Sequence, residues 1–105
     1  MELKKLQTQV SEIFFAYLKE HKIKNNDDYL LVKLGEEVGE LMQAYLIHKK
    51  QCRPVKRAKA AETKKNLAKE LSDVLCLVLV ISKAMNVDIE EAVQKKWISR
   101  EWIKK

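Results

Sequence analysis

Two groups of carboxylates are the residues of this chain whose types and spacing are best suited to chemistry. The first group is Glu36-Glu37-x-x-Glu40, and the second is Glu70-x-x-Asp73. Carboxylates three residues apart lie on the same face of a helix and repel each other. A hard divalent cation with oxygen ligands removes that repulsion. The two groups therefore predict a metal-dependent enzyme that acts on a phosphorylated substrate.

The apolar residues around three of these acids predict that the acids face the protein interior. Glu70 and Asp73 each have an aliphatic residue one helical turn later, Val74 and Leu77, and Glu37 lies in the apolar line of its own helix. A buried charge without a partner is very costly. Internal salt bridges to lysine are the alternative, but the two nearby lysines are too few for four inward carboxylates. Position and spacing together favour metal binding.

The chemistry of the donor atoms predicts Mg²⁺, with Mn²⁺ as the other candidate. Neither group contains His or Cys, which disfavours Zn²⁺, and Mg²⁺ is commonly completed by waters and substrate phosphates. Glu36 differs from the other acids because its helical neighbours Lys33, Glu40 and Gln43 are polar. We therefore expect Glu36 to lie outside the inner ligands, as a general base or as a ligand of an additional ion.

Length and composition predict a single all-α domain that spans residues 1–105. The chain has 105 residues, enough for one core, and its two glycines and one proline are too few for a turn-rich β fold. Cys52 and Cys76 form no metal-ligand pattern, and without a signal peptide or a disulfide framework we expect a reducing cytoplasm. The longest apolar run, residues 74–81, has eight residues and is too short to cross a membrane.

Helical periodicity over most of the chain predicts four helices. Short breaks separate them, and their apolar stripes indicate a helical bundle core. The predicted helices cover residues 3–22, the stretch from the Asn- and Asp-rich break at 24–28 to residue 50, residues 60–85, and residues 88–102.

Sequence signals mark the ends of the last two predicted helices. Asn86 is the expected left-handed residue after the third helix, and Asp88-x-x-Glu91 resembles a capping box for the fourth. The run 74–81 could also form a buried strand, but the helical pattern continues on both sides of it. Since a helix that is apolar all round needs cover on every side, we expect dimerisation to complete the bundle.

The net charge of +6 is concentrated in one basic segment. Residues 49–65 contain eight Lys or Arg and one Glu, which leaves the rest of the chain at −1. This basic segment is either a solvated connector, an anion-attracting rim near a phosphate site, or a nucleic-acid contact. A nucleic-acid-binding module leaves the inward carboxylates unexplained. A helical dimerisation or adaptor protein, with the acids in internal salt bridges, predicts no effect of Mg²⁺ on stability.

The two acidic groups resemble those of the MazG-like, all-α nucleoside triphosphate pyrophosphohydrolase superfamily. The resemblance includes Lys33-Leu34-Gly35 and Asp88-Ile89-Glu90-Glu91-Ala92, and it covers roughly residues 28–100. It implies Mg²⁺-dependent cleavage between the α and β phosphates of a (deoxy)nucleotide, giving a nucleoside monophosphate and pyrophosphate, as in housecleaning of the nucleotide pool. It also implies a homodimer or a homotetramer.

The resemblance assigns roles to individual residues as well. It implies that Glu36 orients or deprotonates the attacking water. Lys96 matches a phosphate-binding lysine of the last helix, and Ser99 or Arg100 stands near the place where the family often has Asn. Apart from the resemblance, Lys33 is a further candidate for offsetting phosphate charge, and Tyr29, at the start of the helix with the first acidic group, is the best candidate for stacking on a nucleobase. The implied metal ligands are Glu37, Glu40, Glu70 and Asp73.

Overall fold

Helices make up about four-fifths of the described part of the protein. The structure is a computed structural model that describes residues 2–54, 59–99 and 103, and no strand occurs among them. A π-helical turn at Gln94–Ile98 continues the last helix. The all-α prediction is therefore confirmed. The helices are α1 (Leu3–Glu20), α2 (Asp27–His48), α3 (Ala60–Ala84) and α4 (Ile89–Val93).

The ends of α3 and α4 follow the local signals in the sequence. Asn86, just after α3, has a φ of 55°, as predicted for a left-handed helix end. Asp88 caps α4, because its carboxylate accepts a hydrogen bond from the Glu91 backbone N–H at 3.0 Å. The carboxylate of Glu91 pairs with Lys95 Nζ at 2.7 Å instead of reaching back to the cap.

Three predicted helix ends differ from the observed ones by two residues or more. The helices α1 and α2 end at Glu20 and His48, two residues earlier than expected, because the chain turns at Lys22 and Lys50, which have φ values of 56° and 59°. The last helix was expected to reach residue 102. Its α-helical part ends earlier because the backbone N–H of Ser99 bonds to the Gln94 carbonyl, five residues back, at 2.9 Å. Residues 100–102 lie outside the described part.

The chain divides into two compact units. The first comprises residues 1–27 and 79–105, and the second comprises residues 28–78. In the first unit, Gln7 Nε2 donates a hydrogen bond to the main-chain oxygen of Leu79 at 2.9 Å, which connects α1 to the last part of α3. The expectation of one domain over residues 1–105 stays a prediction. Each unit buries aliphatic side chains almost completely, namely Leu18, Leu79 and Val80 in the first and Leu30 and Leu77 in the second.

In the second unit, α2 and α3 run antiparallel. Glu37 lies beside Asp73, while Glu40, further along α2, shares a cleft with Glu70, which is earlier on α3. Successive positions on α2 therefore meet successively earlier positions on α3. This antiparallel pair brings the two acidic groups of the sequence to the same place.

A hydrogen bond holds the other end of this helix pair. His48 Nδ1, at the end of α2, lies 2.9 Å from Thr63 Oγ1, in the first turn of α3. The Thr63 hydroxyl donates its single hydrogen to the Ala60 carbonyl at 2.9 Å, so it accepts from His48 Nδ1–H. Thr63 is buried, at 3% exposure. The bond joins the two helices across the connector at residues 49–59.

The second unit also exposes large apolar side chains. On α3, Leu75 is 52% exposed, so this chain alone does not cover the helix on every side. An open cleft of about 610 Å³ has an apolar lining of Leu41, Met42, Tyr45, Leu46, Leu67 and Leu71. In the described part of the chain, no helix combines the length and the apolar character that a membrane span requires.

Candidate metal centre

Carboxylates from α2 and α3 converge in the second unit. One oxygen from each of Glu37, Glu70 and Asp73 lies within 4.8 Å of the other two, and all three residues are half-buried. Glu70 and Asp73 share a face of α3 because they are three residues apart, and the antiparallel α2 brings Glu37 opposite them. We refer to these three residues as the carboxylate cluster.

Two oxygens of the carboxylate cluster are buried without a hydrogen-bond partner. Among the described residues, Glu37 Oε2 and Glu70 Oε2 have neither solvent access nor a donor. A buried charged oxygen without a partner is unfavourable. Ligands about 2.1 Å from Mg²⁺ are at most about 4.2 Å apart, which a small movement of these side chains achieves. An all-oxygen donor set with unpartnered atoms therefore fits a hard divalent cation.

The surroundings of Glu37 disfavour its charged form. Burial raises the pKa of Glu37 to about 7, and the hydrogen-bonding contact and negative charge of Glu40 act in the same direction, as does Asp73. Lys33 Nζ lies 3.6 Å from Glu37 Oε1 and lowers this pKa, but it does not offset the other effects. The carboxylate cluster is thus a place where an additional positive charge is strongly favoured.

Glu36 lies at the surface beside the carboxylate cluster. Its side chain is 58% exposed, and its Oε1 accepts a hydrogen bond from Lys33 Nζ at 2.9 Å. That hydrogen bond raises the pKa of Lys33, so the ammonium stays charged. Lys33 also approaches Glu37, so it links an outer carboxylate to an inner one. Sequence reasoning assigned Lys33 to phosphate and also considered it as a salt-bridge partner of the inward acids, and the structure places it beside Glu37.

Glu40 occupies the border between the carboxylate cluster and a neighbouring cleft. Its carboxyl group contacts that of Glu37, but it is not one of the three that converge within 4.8 Å. A cleft of about 290 Å³ begins at Glu40 and Glu70. Among the described residues, its lining is Glu40, Gln43, Ala44, Ile47, Asn66 and Glu70.

Two amides of this cleft, Gln43 and Asn66, were missed as candidate site residues. Asn66 precedes Glu70 by one helical turn, and Gln43 follows Glu40 by three residues. Helical spacing from the acidic groups was therefore the available signal. It was not sufficient, because the pairing of positions between α2 and α3 was unknown.

The remaining predicted substrate-binding residues lie at several places. Tyr29 is half-buried in the first turn of α2 and lies close enough to Lys33 to contribute to the raised pKa of that ammonium group. Lys96 is exposed in the π-helical turn. Arg100 lies outside the described residues. Tyr29 and Lys33 belong to the same unit as the carboxylate cluster.

Comparison with known proteins identifies the family. A family model described as the MazG nucleotide pyrophosphohydrolase domain matches residues 25–101, which include both acidic groups. No curated protein and no solved structure matches the chain. The family is generally dependent on a divalent metal, and the carboxylate cluster has the chemistry to hold one. The chain therefore belongs to the MazG nucleotide pyrophosphohydrolase family and is a hydrolase acting on acid anhydrides.

Proposed function

We propose that this protein is a Mg²⁺-dependent nucleoside triphosphate pyrophosphohydrolase. It cleaves between the α and β phosphates of a (deoxy)nucleotide and releases a nucleoside monophosphate and pyrophosphate, a reaction suited to housecleaning of the nucleotide pool. The observation that carries the proposal is the carboxylate cluster with its two buried, unpartnered oxygens. Mn²⁺ prefers the same oxygen ligands and would serve in place of Mg²⁺.

The acids divide into metal-binding residues and a base. A cation held by the cluster supplies positive charge against the triphosphate and polarises its phosphoryl oxygens. Glu36, exposed beside the cluster, accepts a proton from the attacking water. Lys33 Nζ, 2.9 Å from Glu36 Oε1, holds that carboxylate in position. The metal-binding residues in this proposal are Glu37, Glu40, Glu70 and Asp73.

Cationic and aromatic residues outside the cluster complete the proposed substrate site. Lys96, which matches the phosphate-binding lysine of the family's last helix, contacts phosphates, and so does Arg100, which stands near the place where the family often has Asn. Tyr29 stacks on the nucleobase from the first turn of α2. The support for Lys96 is its exposed position in the π-helical turn, and the support for Tyr29 is its proximity to Lys33.

We further propose a single domain over residues 1–105 that assembles as a homodimer or a homotetramer in the cytoplasm. The support for assembly is the apolar cleft of about 610 Å³ between α2 and α3, together with the exposure of Leu75 on α3. Large apolar side chains that are exposed together, here Met42, Leu46 and Leu71, favour an interaction site. A second copy of the chain would cover it.

The decisive experiment is to incubate the protein with Mg²⁺ and a panel of canonical and modified nucleoside triphosphates, and to measure pyrophosphate and phosphate separately. We expect pyrophosphate. Release of phosphate alone would contradict cleavage between the α and β phosphates.

A pair of variants tests whether the carboxylate cluster is needed for turnover. Glu62 is an exposed acid on the same helix as Glu70, so Glu62→Gln is the matched control for Glu70→Gln. Loss of turnover in both variants would argue against a role specific to the cluster.

A further inference from the structure

The cleft of about 290 Å³ beside the carboxylate cluster has a chemistry of its own. Two carboxylates, Glu40 and Glu70, form the end nearest the cluster. Neither Lys nor Arg occurs in its lining among the described residues. A phosphate group placed deeper in the cleft would therefore meet like charge without a counterion. The cleft suits a neutral group that is attached to a phosphate chain.

Two amides provide hydrogen bonds in this cleft. The side chains of Gln43 and Asn66 are exposed, and within the described part of the chain neither has a hydrogen-bond partner. Each amide offers donors and an acceptor side by side. Ala44 and Ile47 add apolar surface between them. A flat ring with a polar edge matches this combination of an apolar wall and two amides.

The position of the amides fits a substrate that continues from the carboxylate cluster. Asn66 precedes Glu70 by four residues, which is about 6 Å along a helix. Gln43 lies on the antiparallel α2 and lines the same cleft. A triphosphate at the cluster would therefore direct the rest of the nucleotide toward the two amides.

We propose that the nucleoside part of the substrate binds in this cleft, and that Gln43 and Asn66 hydrogen-bond to its base and set the preference among nucleotides. The inference rests on the proposed function apart from the stacking by Tyr29, which it replaces, because Tyr29 lies 14 residues before Gln43 on α2, about 21 Å along the helix. Asn and Gln amides pair with base edges through two hydrogen bonds, as with adenine N6 and N7. Removing such a pair costs at least about fivefold in discrimination.

The test compares substrates with and without a base. The substrates are the four canonical deoxynucleoside triphosphates and ribose 5′-triphosphate, assayed for pyrophosphate with Mg²⁺. In Gln43→Leu and Asn66→Leu, we expect the ratio of kcat/KM for the best nucleotide to that for ribose 5′-triphosphate to fall at least about fivefold, mainly through KM. Gln9→Leu, which removes an exposed amide from α1, should leave this ratio unchanged.

The outcomes separate this inference from the proposed function. The inference would be overturned if the folded cleft variants kept the wild-type ratio of kcat/KM values. It would also be overturned if the wild type cleaved ribose 5′-triphosphate as well as every nucleotide. In both cases, release of pyrophosphate from nucleotides would still support the proposed function. Failure of the wild type to release pyrophosphate from any nucleotide would overturn both. If a leucine variant lacks a cooperative melting transition and is therefore unfolded, Gln43→Ala or Asn66→Ser takes its place. The same ratio of kcat/KM values, nucleotide to ribose 5′-triphosphate, then tests the inference.

Discussion

At the scale of single residues, Glu37 responds to both protons and cations. Its carboxylate is half-buried between Lys33 and the carboxyl groups of Glu40 and Asp73. Burial raises its pKa to about 7, so near neutral pH a proton competes with a metal ion for the same oxygens. The affinity of the carboxylate cluster for Mg²⁺ should consequently rise between pH 6 and pH 8.

We expect the protein in EDTA to lose stability as the pH rises from 5 to 8. The ordinary pKa of 4.5 for Glu37 becomes about 7 on folding, so the folded state binds the proton more tightly. Its contribution is present below the unfolded value and is lost as the pH rises through about 7. The loss should be on the order of 1–3 kcal/mol. Urea unfolding of wild type and Glu37→Gln measures it.

The comparison with Glu37→Gln isolates this residue from the other titrating groups. Glu12→Gln, an exposed acid on α1, should keep the pH profile of the wild type. If Glu37→Gln also kept that profile, the assigned environment of Glu37 would be wrong.

Substitutions should separate the acids by role. Glu70→Gln and Asp73→Asn each remove charge from the carboxylate cluster, so we expect them to abolish turnover and weaken Mg²⁺ binding. Glu36→Gln should slow turnover by roughly 10²–10⁴-fold, the usual contribution of a general base, while Mg²⁺ still binds. Pyrophosphate release and calorimetric Mg²⁺ titration of each variant test this. Near wild-type turnover in Glu70→Gln would favour the adaptor alternative.

At the scale of elements, the antiparallel pair of α2 and α3 forms the candidate site, and a buried hydroxyl links the two helices at the far end. Thr63 accepts from His48 Nδ1–H and donates to the Ala60 carbonyl. Thr8, exposed on α1, donates to the Lys4 carbonyl at 3.0 Å and provides a matched comparison.

We expect Thr63→Val to lower the free energy of unfolding by about 1–2 kcal/mol. Valine keeps the shape but leaves His48 Nδ1–H without its acceptor, and a lost hydrogen bond in a partly buried site has about this cost. Thr8→Val should change the free energy of unfolding by less than about 0.5 kcal/mol. Urea unfolding at pH 8 measures both, and equal effects in the two variants would contradict the proposed importance of the link.

Local signals explain which elements could be predicted from the sequence. The helices and the left-handed Asn86 follow from periodicity and residue type, so both were foreseeable. The π-helical turn at Gln94–Ile98 differs from an α-helix by one hydrogen-bond register, and periodicity does not encode that difference. The acids of the candidate site could be predicted from spacing within each helix. Gln43 and Asn66 could not, because their proximity depends on the pairing between helices.

At the scale of the whole molecule, Mg²⁺ should stabilise the fold. A ligand that binds only the folded state raises its stability by mass action, by about 2.7 kcal/mol at a concentration one hundred times Kd. Thermal melting in EDTA and in millimolar Mg²⁺ at pH 8 should therefore give a higher Tm with the metal. Equal Tm values, together with no heat of Mg²⁺ binding, would contradict the metal site.

The apolar cleft predicts self-association. Leu71 lines this cleft and is 52% exposed. We expect light scattering at micromolar concentration to give a dimer or tetramer mass for the wild type and for Leu71→Met, and a lower mass for Leu71→Asp, because a buried unpaired charge is costly. A monomeric mass for the wild type would contradict this prediction.

The hydrogen bond between His48 and Thr63 has a consequence for mildly acidic solutions. It joins α2 to α3 through an imidazole N–H and a hydroxyl, so the carboxylate cluster takes no part in it. Protonation of Glu37 would release the cation proposed for the cluster. The helix pair would stay joined at its far end, and a return to neutral pH should restore the proposed metal site.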